Sequence, residues 1–176
     1  MIYSSDDIDK EATFIVAKLM LAAIRTAPKG KGVDNIEACI IDGEDKDKLA
    51  AEMRRLQEAL GGGPFERDSY NVDKSPYVVL IGVKNAPIGM NERCQLCGFP
   101  NCAELIKAGS NCVFNIEDFG IAIGSAAAVA IDNRVDNRIM YSIGKAAVNL
   151  GFFSETVRVA NGIPLSVTGK SPYFDR

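Results

Sequence analysis

The chain has 176 residues, of which 47% are hydrophobic and 24% are charged, and its formal net charge at pH 7 is −3. This composition is typical of one globular domain, and it excludes a mainly disordered chain and argues against a nucleic-acid-binding surface. The sequence contains no histidine, which excludes Cys-His catalysis, histidine acid–base chemistry, mixed Cys/His zinc sites and Rieske-type clusters.

The first predicted elements are a helix, a strand and a second helix. Apolar residues recur at helical spacing over 8–24, a polar cluster at 5–7 can cap this helix, and Pro28 ends it. The apolar run at 36–41 predicts a strand, and a helix whose apolar face runs from Leu49 to Leu60 follows before a glycine-rich stop.

The middle of the chain supplies the centre of the predicted sheet, and the second half supplies the remaining elements. Residues 77–83 are continuously apolar, which predicts a strand buried on both faces, with helices above and below it. Helices at about 117–132 and 137–150 and a strand at 156–160 follow, and the tail at 162–170 is expected to be turn-rich. We therefore predict a single α/β or α+β domain over 1–176, with a central mixed sheet flanked by helices.

The N-terminal residues give an expectation for location. They lack the basic and apolar regions of a signal peptide, and the longest apolar run, 119–131, is too short to span a bilayer. We expect a cytoplasmic protein without membrane or nucleic-acid partners. Clustered cysteines in such a reducing compartment favour metal binding over disulfides.

Four of the five cysteines fall within one short cysteine-rich segment, 88–115: Cys94, Cys97, Cys102 and Cys112. A Cys-x-x-Cys turn directs two sulfurs into one cavity, and a helix starting at Cys102 presents N–H groups that offset negative charge. Three interpretations remain open: a 4Fe–4S cluster with these four ligands, a structural zinc ion, and reactive or merely buried thiols. Only one Cys-x-x-Cys pair is present, whereas zinc ribbons usually have two, and this favours the cluster. Cys39 lies in a predicted strand and is interpreted as a small buried hydrophobe.

Two resemblances support the iron–sulfur interpretation. The sequence Cys-Gln-Leu-Cys-Gly-Phe-Pro-Asn-Cys, at 94–102, resembles 4Fe–4S modules of electron-transport subunits and of carbon monoxide dehydrogenase/acetyl-CoA synthase proteins. The gap before Cys112 is shorter here than in those modules. The whole chain, through its ending at 162–176, is similar to an uncharacterised prokaryotic family described as containing a ferredoxin domain. That resemblance implies iron–sulfur binding and no particular reaction.

A third resemblance concerns the fold. The helix that ends at 22–28, the loop with Asn35, the strand and the charged helix are similar to the opening of flavin-dependent nitroreductases. The Gly- and Ala-rich helix at 118–130 resembles their central dimer helix. The resemblance implies a nitroreductase-like fold and an intertwined homodimer with FMN between its subunits.

The Arg-x-Ser-x-Arg phosphate motif of many nitroreductases is missing from this chain. Basic residues near the first loop and in the tail are its candidate replacements: Arg25, Lys29, Lys31, Lys170 and Arg176. A Gly/Lys loop can bind phosphate through N–H groups and ammonium charge, and the alternative is an exposed, solvated turn.

The sequence therefore predicts a ferredoxin-like iron–sulfur protein that takes part in electron transfer with a redox partner protein. One alternative is an FMN-dependent nitroreductase-like oxidoreductase in which the cysteine-rich segment is an added electron inlet. The other is a non-catalytic, zinc-stabilised interaction module. No catalytic residue and no substrate follow from the sequence.

Overall fold

The structure is a computed structural model that describes residues 1–174, apart from the side chains of residues 6 and 7. Arg176 and the expected capping side chains at 6 and 7 lie outside the described residues. Helices and strands follow in this chain order: α1 Ser5–Thr26, β1 Ile36–Ile41, α2 Gly43–Ala59, α3 Phe65–Asp73, β2 Tyr77–Lys84, α4 Cys102–Lys107, α5 Val113–Asp132, β3 Asp136–Asn137, α6 Tyr141–Asn149 and β4 Val157–Ser166. Two short 3-10 helices cover Gly30–Gly32 and Asn91–Arg93.

The four strands form one sheet in the order β1-β2-β4-β3. All three pairings are antiparallel, so the expectation of a mixed sheet was wrong, while the α+β class is confirmed. Helices connect the successive strands. Strands β2 and β4, which are not consecutive in the sequence, are therefore neighbours in the sheet.

The predicted burial of β2 on both faces is confirmed, because its side chains alternate between two apolar cores. Val79 and Ile81 pack with α1 and α5 on one face. Val78 and Leu80 pack with α2, α3 and α6 on the other. The domain is therefore a sheet between two helical layers, with β2 at its centre.

Two elements differ from the sequence prediction at positions rich in polar residues or turn formers. Helix α3 was missed because three of its five buried residues, Asp68, Ser69 and Asn71, are polar, which hides the helical apolar period. Strand β4 continues to Ser166, through Gly162 and Pro164, where a turn-rich tail was expected.

The starts of helices α5 and α6 also differ from the sequence prediction. Helix α5 starts at Val113, earlier than expected, and α6 starts at Tyr141 rather than near 137. The residues before α6 instead form β3 and a bridge between Met140 and Gly162.

Helix α5 has 20 residues and is long and apolar enough to cross a membrane, which corrects the shorter run counted in the sequence. Its side chains Phe119, Ala122 and Ala126 are nevertheless buried in the core against α1 and the sheet. These contacts are those of a core helix in a folded domain.

Close contact between α6 and β4 depends on two glycines. A β-carbon at Gly144 would overlap the backbone carbonyl of Ala160, and one at Gly162 would overlap the side chain of Ile143. The helix can therefore approach the strand only where side chains are missing.

We expect Gly144→Ala to lower the free energy of unfolding by about 3 kcal/mol, because the added methyl group forces α6 away from β4. Urea denaturation measures this change. Lys145→Ala, at an exposed position of the same helix, is the control, and its free energy of unfolding should change by less than about 0.5 kcal/mol. Equal stabilities of the two variants would contradict the close α6–β4 contact.

Candidate metal centre and basic recess

The four clustered cysteines line one recess at the surface of the domain. Cys94 follows the 3-10 helix Asn91–Arg93, Cys102 is the first residue of α4, and Cys112 immediately precedes α5. All five cysteines of the chain are free thiols. Three segments of different local structure thus bring four thiol groups to one cavity.

Backbone turns in the left-handed region shape the outer part of this segment. Gln95 has φ 54° and Gly98 has φ 81°, which lets the chain reverse direction around Cys97. The side-chain oxygen of Asn101 accepts a hydrogen bond from the N–H of Glu104 over 3.0 Å. This cap fixes the start of α4 and therefore the position of Cys102.

The walls of the recess are mainly apolar. Ile88, Leu105, Val113 and Phe114 line it from the core side, and Phe99 lines it from the outer loop. Cys112 is buried, whereas Cys94, Cys97 and Cys102 are partly exposed. A group bound here would be screened from water on one side and reached from the surface on the other.

The thiols surround the recess without meeting at one point. Among the side chains that the structure describes, no three Cys, Asp or Glu residues are grouped so as to hold a single metal ion between them.

A buried polar network, missed in the sequence analysis, anchors the segment to the core. The amide nitrogen of Asn115 donates to the carbonyl of Ala86 over 2.7 Å, and Asn35 donates to that carbonyl over 2.8 Å and to Asn115 over 3.2 Å. Both carboxylate oxygens of Asp118 accept from the N–H of Gly30, at 2.9 and 3.0 Å. The Gly30–Asp118 and Asn35–Asn115 bonds link residues 88 and 80 positions apart, and no local sequence pattern indicates them.

Cys39 lies apart from this site. It pairs with Leu80 across β1 and β2 and packs against the core formed with α2, α3 and α6. Burial, with a smaller contribution from the charge of Glu37, raises the pKa of its thiol. Cys39 is therefore a neutral, weakly reactive side chain near pH 7.

Two of the candidate phosphate-binding residues, Arg25 and Lys29, lie near the carboxylate of Asp34, which shortly precedes β1. Arg25 forms a 2.5 Å ion pair with Asp34. The side chain of Lys29 is only 5% exposed, and its ammonium donates to the carbonyls of Ile24, Arg25 and Ala27 at 2.9–3.0 Å. Lys29 thus caps the C-terminus of α1, a structural role that the sequence did not predict.

The electrostatics of Asp34 agree with this arrangement. Burial acts to raise its pKa, but hydrogen bonds from Arg25 and the N–H of Ile36, and the charge of Lys29, outweigh burial and hold the pKa below the ordinary value. The carboxylate therefore stays ionised, and it is already paired with the positive charges of Arg25 and Lys29 that a phosphate would need.

Lys31, another candidate, points toward the cysteine-rich segment. Its ammonium donates to the carbonyl of Ile88 over 3.2 Å. It also lines a surface depression with Met90 and Asn91, two residues that line the cysteine recess as well.

Lys170 lies elsewhere, in an open recess of about 1260 Å³ between α3 and the tail. We call it the basic recess; its other polar lining residues are Arg67, Asn71, Lys74, Ser166, Thr168 and Ser171. The structure therefore separates Lys170 from the Arg25–Lys29 pair. Arg67, Asn71 and Lys74 follow at helical spacing, a signal that a prediction of α3 would have exposed.

The tail is held against the basic recess by a buried tyrosine. The hydroxyl groups of Tyr173 and Ser75 are 2.7 Å apart, and the guanidinium of Arg138 donates to the carbonyl of Tyr173 over 2.9 Å. Burial raises the pKa of Tyr173, so it stays a neutral hydrogen-bonding group.

Sequence comparisons assign a family. A protein from Archaeoglobus fulgidus, described as uncharacterised, is 44% identical over 185 residues, covering 100% of this chain and 98% of that protein. The profile of the family described as "uncharacterized protein containing a ferredoxin domain" matches residues 108–176. The chain belongs to this family. The matched residues include Cys112 and Lys170. The match begins after α4, so it does not include the other three clustered cysteines.

Solved structures share the fold. A nitroreductase from Lactococcus lactis, in complex with nicotinic acid, is 14% identical with a TM-score of 0.60, covering 99% of this chain and 86% of that chain. A BluB-like flavoprotein from Clostridium difficile 630 is 18% identical with a TM-score of 0.58, covering 97% and 86%. An FMN-dependent nitroreductase from Mycobacterium smegmatis, in complex with NADPH, is 13% identical with a TM-score of 0.56, covering 89% and 78%. The expected nitroreductase-like fold is confirmed.

Proposed function

We propose that this protein is an iron–sulfur redox protein that holds a 4Fe–4S cluster at Cys94, Cys97, Cys102 and Cys112 and takes part in electron transfer. The observation that carries the proposal is the placement of four free thiols around one recess with apolar walls. The ferredoxin description of the family supports it.

The spacing of the thiols favours a cluster over zinc. A zinc ion requires four sulfurs at about 2.3 Å from one point, and no such grouping occurs among the described residues. The cysteines of a 4Fe–4S cluster bind different iron atoms, so they surround a larger body. Four thiols placed around one recess suit that larger body better.

The chain's own residues would set the properties of the bound cluster, which supplies uptake and release of one electron. Leu105, Val113 and Phe114 exclude water from the core side. Partial exposure of Cys94 and Cys97 leaves the opposite side open, where a redox partner protein would exchange electrons.

A second candidate function is flavin-dependent oxidoreduction, and the basic recess favours it. Lys74 and Lys170 line the recess together with hydroxyl and amide groups, and such ammonium and hydrogen-bonding groups suit a phosphate-bearing cofactor. Arg67 also lines the recess, but its guanidinium already forms a 2.8 Å ion pair with Asp68. We infer that FMN, if it binds this chain, places its phosphate here rather than at the Arg25–Lys29 pair.

We also propose that the chain forms a homodimer through the outer faces of α1 and α5. These faces carry partly exposed large apolar side chains: Ile8, Ile15, Leu19, Ile116, Ile121 and Ile131. Gly120 and Gly124 leave α5 open to close approach, since no described atom outside the helix lies within 4 Å of an added β-carbon. Two neighbouring helices about 30 Å long and about 20 Å wide together offer roughly 600 Å², near the ~800 Å² that each partner of a stable interface buries.

A cytoplasmic location belongs to the same proposal. Free thiols at all five cysteines suit a compartment that keeps thiols reduced.

Protein purified without oxygen should contain about four irons and four acid-labile sulfides per chain, measured by metal and sulfide analysis. Cys102→Ala should lose most of both, because one ligand is missing. Cys39→Ala should keep both, since Cys39 lies in β1 away from the recess. One zinc per chain and no sulfide would contradict the cluster and support the zinc-stabilised interaction module.

FMN should bind with micromolar affinity and lose fluorescence on binding, whereas riboflavin, which lacks the phosphate, should bind more weakly. Lys170→Met and Lys74→Met should weaken FMN binding about tenfold or more, with little effect on riboflavin. Lys107→Met is the control, because that exposed lysine lies on α4. Equal FMN affinity in all variants would contradict phosphate binding in the basic recess.

The chain should sediment as a dimer, with twice the mass of one chain. Ile121→Asp should give monomers, because it places a charge at the centre of the α1–α5 face. Ile106→Asp, which changes an exposed isoleucine on α4, should remain dimeric. Monomeric wild type would contradict the dimer, and dimers of both variants would place the contact elsewhere.

A further inference from the structure

We propose that Asn91 is a positioning residue of the cysteine centre, which holds Cys102 through its backbone N–H; the inference rests on the proposed metal centre. The backbone nitrogen of Asn91 donates to the sulfur of Cys102 over 3.4 Å. This bond connects the segment just before Cys94 to the first residue of α4. It therefore closes the loop that carries Cys94 and Cys97.

The direction of this N–H depends on an unusual backbone conformation. Asn91 has φ 51°, in the left-handed region that Gly and Asn adopt readily and that β-branched residues avoid. A valine at this position would push φ to negative values and rotate the N–H away from the sulfur. Asparagine is thus suited to this position because it adopts the left-handed backbone conformation. Its side-chain amide need not contact the metal.

An N–H directed at a thiolate has two consequences for a bound cluster. It holds the ligand in place, which slows loss of the metal. It also stabilises the more negative, reduced state, and hydrogen bonds to cluster sulfurs are among the factors that set the reduction potential. Loss of the bond should therefore lower the potential as well as loosen the ligand.

The chain offers a matched control for backbone strain. Arg134 has φ 61° in the turn between α5 and β3, far along the chain from the cysteine-rich segment. Arg134→Val introduces the same kind of strain as Asn91→Val without touching Cys102. Asn91→Gly keeps both the left-handed conformation and the N–H, and Asn91→Ala gives a milder strain in case the valine variant does not fold.

The experiment compares wild type with these four variants, all purified without oxygen. The measurements are iron content, the rate of iron release to a chelator, the reduction potential and the urea midpoint. Asn91→Gly should match wild type in release rate and potential. Asn91→Ala and Asn91→Val should release iron about fivefold faster or more, which corresponds to one ordinary hydrogen bond, and should have lower potentials. Arg134→Val should lose stability but keep the wild-type release rate and potential.

The outcomes separate the two proposals. Wild type that contains no iron would overturn the cluster itself, and the role of Asn91 with it. Wild type that contains iron, together with unchanged release rate and potential in Asn91→Ala and Asn91→Val, would overturn only the role of Asn91. A changed release rate in Arg134→Val equal to that in Asn91→Val would show that general instability is the cause, which also overturns it.

Discussion

Burial of β2 on both faces is the constraint on which the rest of this domain depends. Its alternating side chains, such as Val79 toward α1 and α5 and Leu80 toward α6, place one apolar layer on each side of the sheet. A strand buried in this way cannot move without exposing both cores. The segments that enter and leave β2 therefore start from fixed points, and both candidate sites are built on those segments.

The two recesses lie at opposite ends of β2. Asn71 and Lys74 precede the strand and line the basic recess, while Ile88 follows it and lines the cysteine recess. Eight residues of strand span roughly 25 Å, and among the described residues none lines both sites. A ligand in the basic recess therefore does not touch the cysteines of its own chain. Because the two sites share no described lining residue, metal content and FMN binding can be tested independently.

Local patterns predicted the parts of the structure that local physics determines. The continuous apolar run of β2 and the close spacing of Cys94, Cys97 and Cys102 are such patterns. The same kind of pattern predicted the end of strand β4 wrongly, because glycine and proline, here Gly162 and Pro164, usually mark turns. In the folded chain Gly162 is required by the close approach of Ile143, and Pro164 pairs with Val78. Contact with a distant helix decided these residues, and no window of sequence around them contains that information.

Cys112 shows how the local and distant parts combine in one site. The other three cysteines lie on a short, partly exposed loop, whereas Cys112 is buried at the start of α5. Three residues later Asn115 is bonded to the carbonyl that follows β2 and to Asn35. The position of Cys112 is therefore set by contacts of the folded core. If the proposed cluster binds, it would tie the outer loop to this fixed point, and its binding would stabilise the loop more than the core.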